Sequence, residues 1–314
     1  MSMKYNILVT GGAGYIGSIL VPELLKLGHQ VTVLDTFYFN QNSLLDCCHY
    51  DNFEIVRGDA REAGILKPLL KKTDIIIPLA ALVGVGLCNK DKTGAESINR
   101  GAIATLMGLL ADGQRVLFPN TNSGYGIGKD NIFCTETTPL NPISLYGKTK
   151  MEAENLILER GNSISLRLAT VFGVSPRMRL DLLVNDFTYR AVKDRYIIVF
   201  EGDFKRNYIH IRDVARAFIH GIDNFETMKN QAYNLGLSSA NLSKLELCAK
   251  IKEQVPDFVF MESDVGEDPD RRNYIVSNDK IENTGYKPLV SLEMGIQELI
   301  KAYRIISNNK YANV

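Results

Sequence analysis

An α/β architecture built on a doubly wound parallel sheet follows from three features of this 314-residue chain. Strand-like and helix-like hydrophobic patterns alternate from the N-terminus to about residue 168. The first strand pattern runs straight into a glycine cluster that opens a helix. The polar residues with chemical potential fall at the ends of the strand patterns, where open α/β sheets bind ligands.

The opening unit is Lys4 to Gly17. Ile7-Leu8-Val9 has the length and branching of a buried strand, and Gly11, Gly12, Gly14 and Gly17 follow at once. The helical spacing Ile16, Ile19, Leu20, Leu24, Leu27 comes next. A pyrophosphate reaches backbone N–H groups at a helix N-terminus only where no Cβ blocks it, and the helix dipole favours the anion. Gly12-x-Gly14-x-x-Gly17 has the general dinucleotide spacing, overlapping Gly11-x-x-Gly14-x-x-Gly17.

Val31 to Leu34 reads as a second strand ending in Asp35, 24 residues past Gly11. A carboxylate there accepts both adenosine ribose hydroxyls and repels a 2′-phosphate, and residues 36–40 offer no arginine to receive one. NAD is therefore the expected cofactor rather than NADP. Phe53 to Val56 forms a third strand closing on Gly58-Asp59, and Asp74 to Leu79 a fourth followed by Ala80-Ala81. Gly94 to Leu110 reads as a helix, Arg115 to Phe118 as a fifth strand, Ser144 to Glu159 as a helix, and Ile164 to Leu168 as a sixth strand.

After Gly173 the rhythm changes. A basic loop from Val174 to Leu180 precedes helical patterns at Leu182 to Lys193 and Val214 to Ile222. Ala232 to Gly236 reads as a short strand, Ser243 to Glu246 as a capping box, and Ser291 as the cap of the last helix. The expected organisation is a nucleotide-binding domain over 1–173, with segments near 208–237 returning to it. Residues 174–207 and 238–314 would form a smaller, mostly C-terminal substrate lobe.

Lys plus Arg equals Asp plus Glu at 36 each, which argues against a nucleic-acid or polybasic membrane partner and leaves anions to local arginines. Five cysteines without C-x-x-C spacing and four scattered histidines predict free thiols in a reducing cytoplasm and no metal site. The first strand begins too early for a signal peptide, and no apolar run has bilayer length, so a cytoplasmic location is expected.

Tyr146-Gly147-Lys148-Thr149-Lys150 carries the chemistry. Residues four apart share a helix face, and an ammonium beside a phenol favours the phenolate. Such a phenolate is a general base for a substrate hydroxyl. Y-x-x-x-K alone usually marks a solvated helix face. Behind a dinucleotide fold it points to catalysis.

Thr10 to Gly17, Gly58-Asp59, Leu79-Ala80-Ala81, Tyr146 to Lys150, Arg206 to Asp213 and Asp270-Arg271-Arg272 together resemble the extended short-chain dehydrogenase/reductases. The resemblance covers nearly the whole chain and is narrower to the NAD-dependent nucleotide-sugar epimerase/dehydratase branch. It implies a Rossmann-type domain in which Gly11, Gly14, Tyr15, Ile16 and Gly17 hold the pyrophosphate. Asp35 would hold the adenosine ribose, and Asp59 with Ala60 the adenine. Leu79, Ala80, Ala81 and Asn99 would lie along the cofactor. Tyr146 is implied as the base, Lys150 as the ligand of the nicotinamide ribose and tuner of Tyr146, and Thr121 as the catalytic hydroxyl. Arg206 and either Arg271 or Arg272 match arginines that grip a nucleotide diphosphate. The substrate side would be completed by Asn122, Ser123, Thr170, Arg177, Arg179 and Asn185.

The sequence departs from parts of that family. Its 4,6-dehydratases carry Asp and Glu after the catalytic Thr, where this chain has Asn122 and Ser123. Neither an amide nor a hydroxyl is an adequate acid or base near neutral pH, which argues against 4,6-dehydration. C3/C5-epimerising relatives place a cysteine where Ser123 stands, and Thr170 and Val174 replace the usual Asn and Pro. The remaining set, Thr121, Tyr146, Lys150 and NAD, suits oxidation of one sugar hydroxyl at C4. Val174 to Asp181 resembles a subgroup acting on bacterial capsule or lipopolysaccharide sugars, and the overall match is nearest to bacterial GDP-heptose C4-dehydrogenases. A 4-epimerase and, on the same fold, a non-catalytic NAD-binding regulator are the alternatives. The resemblance also implies a homodimer through a four-helix bundle made by the helices near 94–110 and 144–159.

Overall fold

The computed structural model describes residues 3–129, 131–263, 265 and 272–306. Seven strands form one parallel sheet: β1 (Asn6–Thr10), β2 (Gln30–Asp35), β3 (Phe53–Arg57), β4 (Ile75–Pro78), β5 (Arg115–Thr121), β6 (Ser163–Leu168) and β7 (Gln231–Leu235). Their spatial order is β7-β6-β5-β4-β1-β2-β3, so the chain winds outward in one direction from β1 and then in the other. The switch point lies between β1 and β4, which are paired from Ile7 opposite Ile75 to Thr10 opposite Pro78. A cleft opens there beyond the carboxyl ends of the strands.

Side-chain alternation explains why both faces are covered. Ile7, Val9, Val31, Val33, Ile75 and Ile77 pack with Leu20, Val21 and Leu24 of the Gly17–Lys26 helix and Val214 and Phe218 of the Ile211–Asp223 helix. Their neighbours Leu8, Leu34 and Ile76 face the other way, onto Leu66, Leu70 and Leu106. Val116 and Phe118 meet Ile103, Ala153 and Ile157 on that same face. A separate apolar cluster, including Phe172, Val184, Phe187, Leu247, Ile251, Leu299 and Tyr303, forms the core of the C-terminal lobe.

The strand and helix patterns of the sheet appear where the sequence places them, within a few residues at each end. Ser144 caps the Leu145–Arg160 helix, its hydroxyl accepting from Gly147 N at 3.1 Å. The box at Ser243 is complete: Ser243 Oγ accepts from Glu246 N at 3.1 Å, and Ser243 N donates to Glu246 Oε2 at 2.7 Å. Ser291 caps the Leu292–Ile305 helix.

Two features differ from the sequence expectation. The segment expected as one helix over Gly94 to Leu110 is Lys92–Glu96, a wide π-turn at Ser97–Gly101, and Ala102–Leu109. The wide turn coincides with Asn99, which turns its amide inward to the backbone of Leu82. Three small sheets were also not foreseen. Thr170–Phe172, Lys205–His210 and Asn241–Ser243 form one; Tyr196–Phe200 with Val259–Ser263 and Phe133–Cys134 with Ile275–Val276 form the others. Their strands are two to six residues long, too short to impose a readable period.

Candidate active site

The glycine turn owes its shape to close packing. Gly11 has φ of 69°, and a Cβ there would stand 2.5 Å from Ala80 N, so the end of β4 can approach only a glycine. A Cβ on Gly17 would run into the backbone of Gly12, which fixes how tightly the helix leaves the turn. Gly14 differs: its missing Cβ would meet only Gly11 O, at 3.1 Å, and the residue lines the cleft. That is a cradle kept open for a ligand at a helix N-terminus.

Beside it, Asp35 is buried at the tip of β2. Its carboxylate accepts from Ala13 N at 3.0 Å and Phe37 N at 2.8 Å. Burial pushes its pKa up and these two N–H groups pull it down. Gly11, Gly14, Tyr15, Ile16, Gly17, Asp35, Asp59, Ala60, Leu79, Ala80 and Ala81 all line one cavity of about 480 Å³. An open glycine cradle with a carboxylate one ribose away fits an NAD-type dinucleotide, and the acid at Asp35 disfavours a 2′-phosphate.

The same cavity reaches Thr121, Ser123, Tyr146, Lys150, Thr170, Arg177, Arg179 and Arg272. Thr121 ends β5 and lines the cleft together with Tyr146. Thr121 Oγ1 also lies 2.9 Å from Ser123 Oγ and accepts from Ser123 N at 3.1 Å. Arg272 donates to Ser123 Oγ. A polar chain thus runs from the Thr121 hydroxyl through Ser123 to the Arg272 guanidinium.

Tyr146 is half-buried as a residue, yet desolvation dominates its phenol and pushes the pKa up to about 12. The influences that oppose burial are Arg179 first, then Arg272 and the Thr121 hydrogen bond. The sequence reading gave that role to Lys150, which shares the cleft with Tyr146. Lys150 is 4 % exposed, with Nζ 3.9 Å from the centroid of the Phe118 ring. Burial lowers its pKa to about 7, with the Glu154 carboxylate working in the opposite direction.

That shift has a consequence for stability. The unfolded Lys150 binds its proton up to about 10.5, the folded one only up to about 7. Between those values the unfolded state holds more protons, so stability rises with pH across that window. In Lys150→Met the pH 7 to 9 rise in thermal midpoint is expected to flatten, as checked by calorimetry at each pH.

Behind the site lies a polar network that the sequence reading did not anticipate. Glu154 accepts from Asn120 Nδ2 at 2.6 Å, Ser165 Oγ at 2.5 Å and Arg167 Nη2 at 2.7 Å. Arg167 also donates to Tyr125 Oη at 3.2 Å, and Tyr125 Oη donates to Asn234 Oδ1 at 2.7 Å. The one sequence signal was position: Glu154 follows Lys150 by four residues on the same helix.

Several expected site residues sit elsewhere or do something else. Asn99 spends its amide on Leu82, accepting from its N at 2.8 Å and donating to its O at 2.9 Å, and does not line the cavity. Asn185 is fully buried, accepting from Gly173 N and donating to Tyr15 Oη and Arg179 O, so it braces the cleft from outside its lining. Asn122 is 1 % exposed, has no hydrogen-bond partner on either amide atom among the described residues, and is likewise absent from the lining. Arg206 packs its guanidinium 5.7 Å from the Tyr274 ring and donates to Lys205 O, one layer behind the wall that Tyr274 forms. Asp59 is held by Arg61, whose Nη2 lies 2.5 Å from Oδ2, and this pairing keeps its pKa low. Arg271 lies outside the described residues. Arg61, Tyr38, Phe39 and Gln41 line the cavity without having been foreseen, because aromatic and amide residues in a loop carry no periodic signature.

Among the described residues no three His, Cys, Asp or Glu side chains cluster as a metal site, and no helix is long and apolar enough to cross a membrane.

Comparisons with known proteins agree with this geometry. The low-salt glycan biosynthesis protein Agl12 of Haloferax volcanii is 31% identical over 314 residues, covering 95% of this chain and 98% of that protein. UDP-glucuronic acid decarboxylase 1 of Arabidopsis thaliana is 26% identical over 315 residues, covering 96% of this chain and 70% of that one. The fold matches UDP-glucuronic acid 4-epimerase from Bacillus cereus, solved with UDP-glucuronic acid and NAD, at a TM-score of 0.83 and 24% identity, over 96% of this chain and 99% of that chain. A family model described as the NAD-dependent epimerase/dehydratase family matches residues 7–236. This chain therefore belongs to the NAD-dependent epimerase/dehydratase family, uses NAD, and is an enzyme of the class that acts on nucleotide sugars.

Proposed function

We propose that the protein oxidises the C4 hydroxyl of a nucleotide sugar of the GDP-heptose type to a 4-keto sugar, for bacterial surface polysaccharide biosynthesis. The observation that carries this reading is subtractive. Thr121, Tyr146 and Lys150 share one cleft, while Asn122 and Ser123 stand where a dehydratase needs an acid and a base. Asn122 is moreover sealed from the cleft.

In this scheme Tyr146 accepts the C4 hydroxyl proton while Thr121 hydrogen-bonds the same oxygen. Bound NAD supplies the hydride acceptor. Lys150 would hold the nicotinamide ribose, its ammonium lying against the Phe118 ring. Arg272 grips the diphosphate through its guanidinium fork, and Thr170 borders the sugar. The expected substrate lobe, residues 174–207 and 238–314, would supply the remaining contacts to the nucleotide sugar.

Because the phenol must lose its proton to act, oxidation is expected to quicken with pH below its pKa. Arg179 is the leading cation holding that pKa down. Arg179→Gln should therefore move the pH–rate profile to higher pH and lower turnover about tenfold at pH 7.5. Activity measured from pH 6 to 10 checks this; an unmoved profile would remove Arg179 from the mechanism.

The test of substrate is incubation with GDP-, UDP- and CDP-sugars, with and without a 2-keto acid as hydride acceptor, read by mass spectrometry and NMR. Loss of two mass units supports the dehydrogenase. An isomer of unchanged mass supports the 4-epimerase, the activity named for a Lactobacillus helveticus relative 28% identical over 274 residues. No chemistry with any of them, together with retained NAD, would support the regulator.

We further propose a homodimer in the cytoplasm, formed by pairing the Lys92–Leu109 segment and the Leu145–Arg160 helix with their copies. These two are already tied at the surface by Arg100 to Glu152 at 3.1 Å, and Ala104 and Gly108 leave the outer face flat enough for close approach.

A further inference from the structure

We propose that Arg177 clamps the pyrophosphate of the bound dinucleotide, carried on a clasp, Gly173 to Arg179, that spans the cofactor cleft and slows the release of NAD. The sequence reading placed Arg177 with the sugar nucleotide; its neighbours place it at the cofactor.

One end of the clasp is fastened to the glycine turn. Tyr15 Oη donates to Gly173 O at 2.7 Å, Ser175 Oγ donates to Tyr15 O at 2.8 Å, and Ser18 Oγ lies 2.7 Å from Ser175 Oγ. These bonds reach the first turn of the very helix whose N-terminus faces the cleft. Asn185 then pins both ends of the segment, accepting from Gly173 N at 3.0 Å and donating to Arg179 O at 2.8 Å.

The middle of the clasp crosses to the opposite wall. The Arg177 guanidinium lies 4.5 Å from the centroid of the Phe39 ring, and Phe39 sits four residues beyond the ribose carboxylate Asp35. Arg177 and Phe39 both line the cavity, and Arg177 is only 5 % exposed. Its head is thus held between the glycine turn and the wall beyond Asp35. In this fold the pyrophosphate occupies the span between those two points. A planar guanidinium, stacked on one face and bidentate at its edge, would hold the phosphates from the side opposite the helix N-terminus. Burial, and then Arg179, disfavour the Arg177 charge, while Asp181 favours it and Nη1 already donates to Met178 O; a dianionic ligand at the remaining edge would favour the charge further.

The inference rests on the cleft holding a dinucleotide and is independent of which sugar is oxidised, so it is tested without turnover. Full-length protein loaded with NAD is diluted into excess unlabelled NAD, and release of radiolabelled cofactor is followed by gel filtration. Arg177→Gln should release NAD on the order of ten- to a hundredfold faster than the parent protein, and Phe39→Leu should fall between them. In equilibrium titrations Arg177→Gln should weaken ADP-ribose and leave adenosine unchanged, with GDP and UDP also unaffected. Release at the parent rate, equal weakening of adenosine and ADP-ribose, or weakening confined to GDP or UDP would each overturn the assignment. Should Arg177→Gln fail to fold, Arg177→Lys keeps the charge without the fork or the stack and is expected to release NAD at least several-fold faster; the parent rate in that variant would count equally against the clamp.

Discussion

Replacing Tyr146 by Phe should abolish sugar oxidation while leaving NAD bound. The substitution deletes one oxygen and keeps the ring that lines the cleft, so packing changes little. What disappears is the acceptor for the C4 proton. General-base removal of this kind costs about 10²- to 10⁴-fold in rate, and turnover should fall within or below that range. Bound NAD, quantified after denaturation, should match the parent protein. A merely NAD-sensing protein would show no catalytic difference, and a variant retaining more than a tenth of the parent turnover would transfer the role of base elsewhere.

The second large effect is on stability. Arg167→Met should destabilise the fold by about 3–5 kcal/mol, because it strands the Glu154 carboxylate in a dry interior. Glu154 and Arg167 are both buried and meet at 2.7 Å. Their partners Asn120, Ser165 and Tyr125 are themselves buried, so water cannot stand in for the lost guanidinium. The thermal midpoint should drop by about 5–8 °C. Adding Glu154→Gln to Arg167→Met should recover a good part of that loss, since the cost lies in the unpaired charge more than in the missing bond. A double variant no more stable than the single one would assign the cost to packing instead. The network also touches function: Glu154 is the carboxylate that holds up the pKa of Lys150.

The sheet and its nucleotide end were legible because strong local rules coincide there. Ile7 to Gly17 combines a branched strand, glycines that only a close approach explains, and a helical apolar spacing, and each signal agrees with the others. Tyr146 and Lys150 were picked out by their four-residue spacing on one helix, whereas Thr121, at the end of β5, was implied only by the family resemblance. The second lobe was less so. Its short strands pair across long sequence gaps, as Tyr196–Phe200 does with Val259–Ser263, and nothing local encodes such pairing.

Electrostatic roles were the least legible. Lys150 shares a face with Tyr146, which the helical period gives correctly, but the sequence says nothing of the Phe118 ring that holds its ammonium or of the desolvation that lowers its pKa. Arg179 reaches the phenol from a loop 33 residues downstream. Asn185 and Asn99 show the converse limit: a polar residue fixed near a site can be spent on holding backbone, as at Gly173 and Leu82. For Asn122, both amide atoms are buried without a hydrogen-bond partner among the described residues.

The most direct test uses a GDP-heptose carrying deuterium at C4, mixed in a single turnover with the NAD-loaded protein. Hydride removal from C4 predicts that the label appears on the nicotinamide ring and that reduction at 340 nm is slowed relative to unlabelled sugar. Cofactor that becomes reduced without taking up the label would show that a different carbon is oxidised, and the assignment of Tyr146 and Thr121 to the C4 hydroxyl would be wrong.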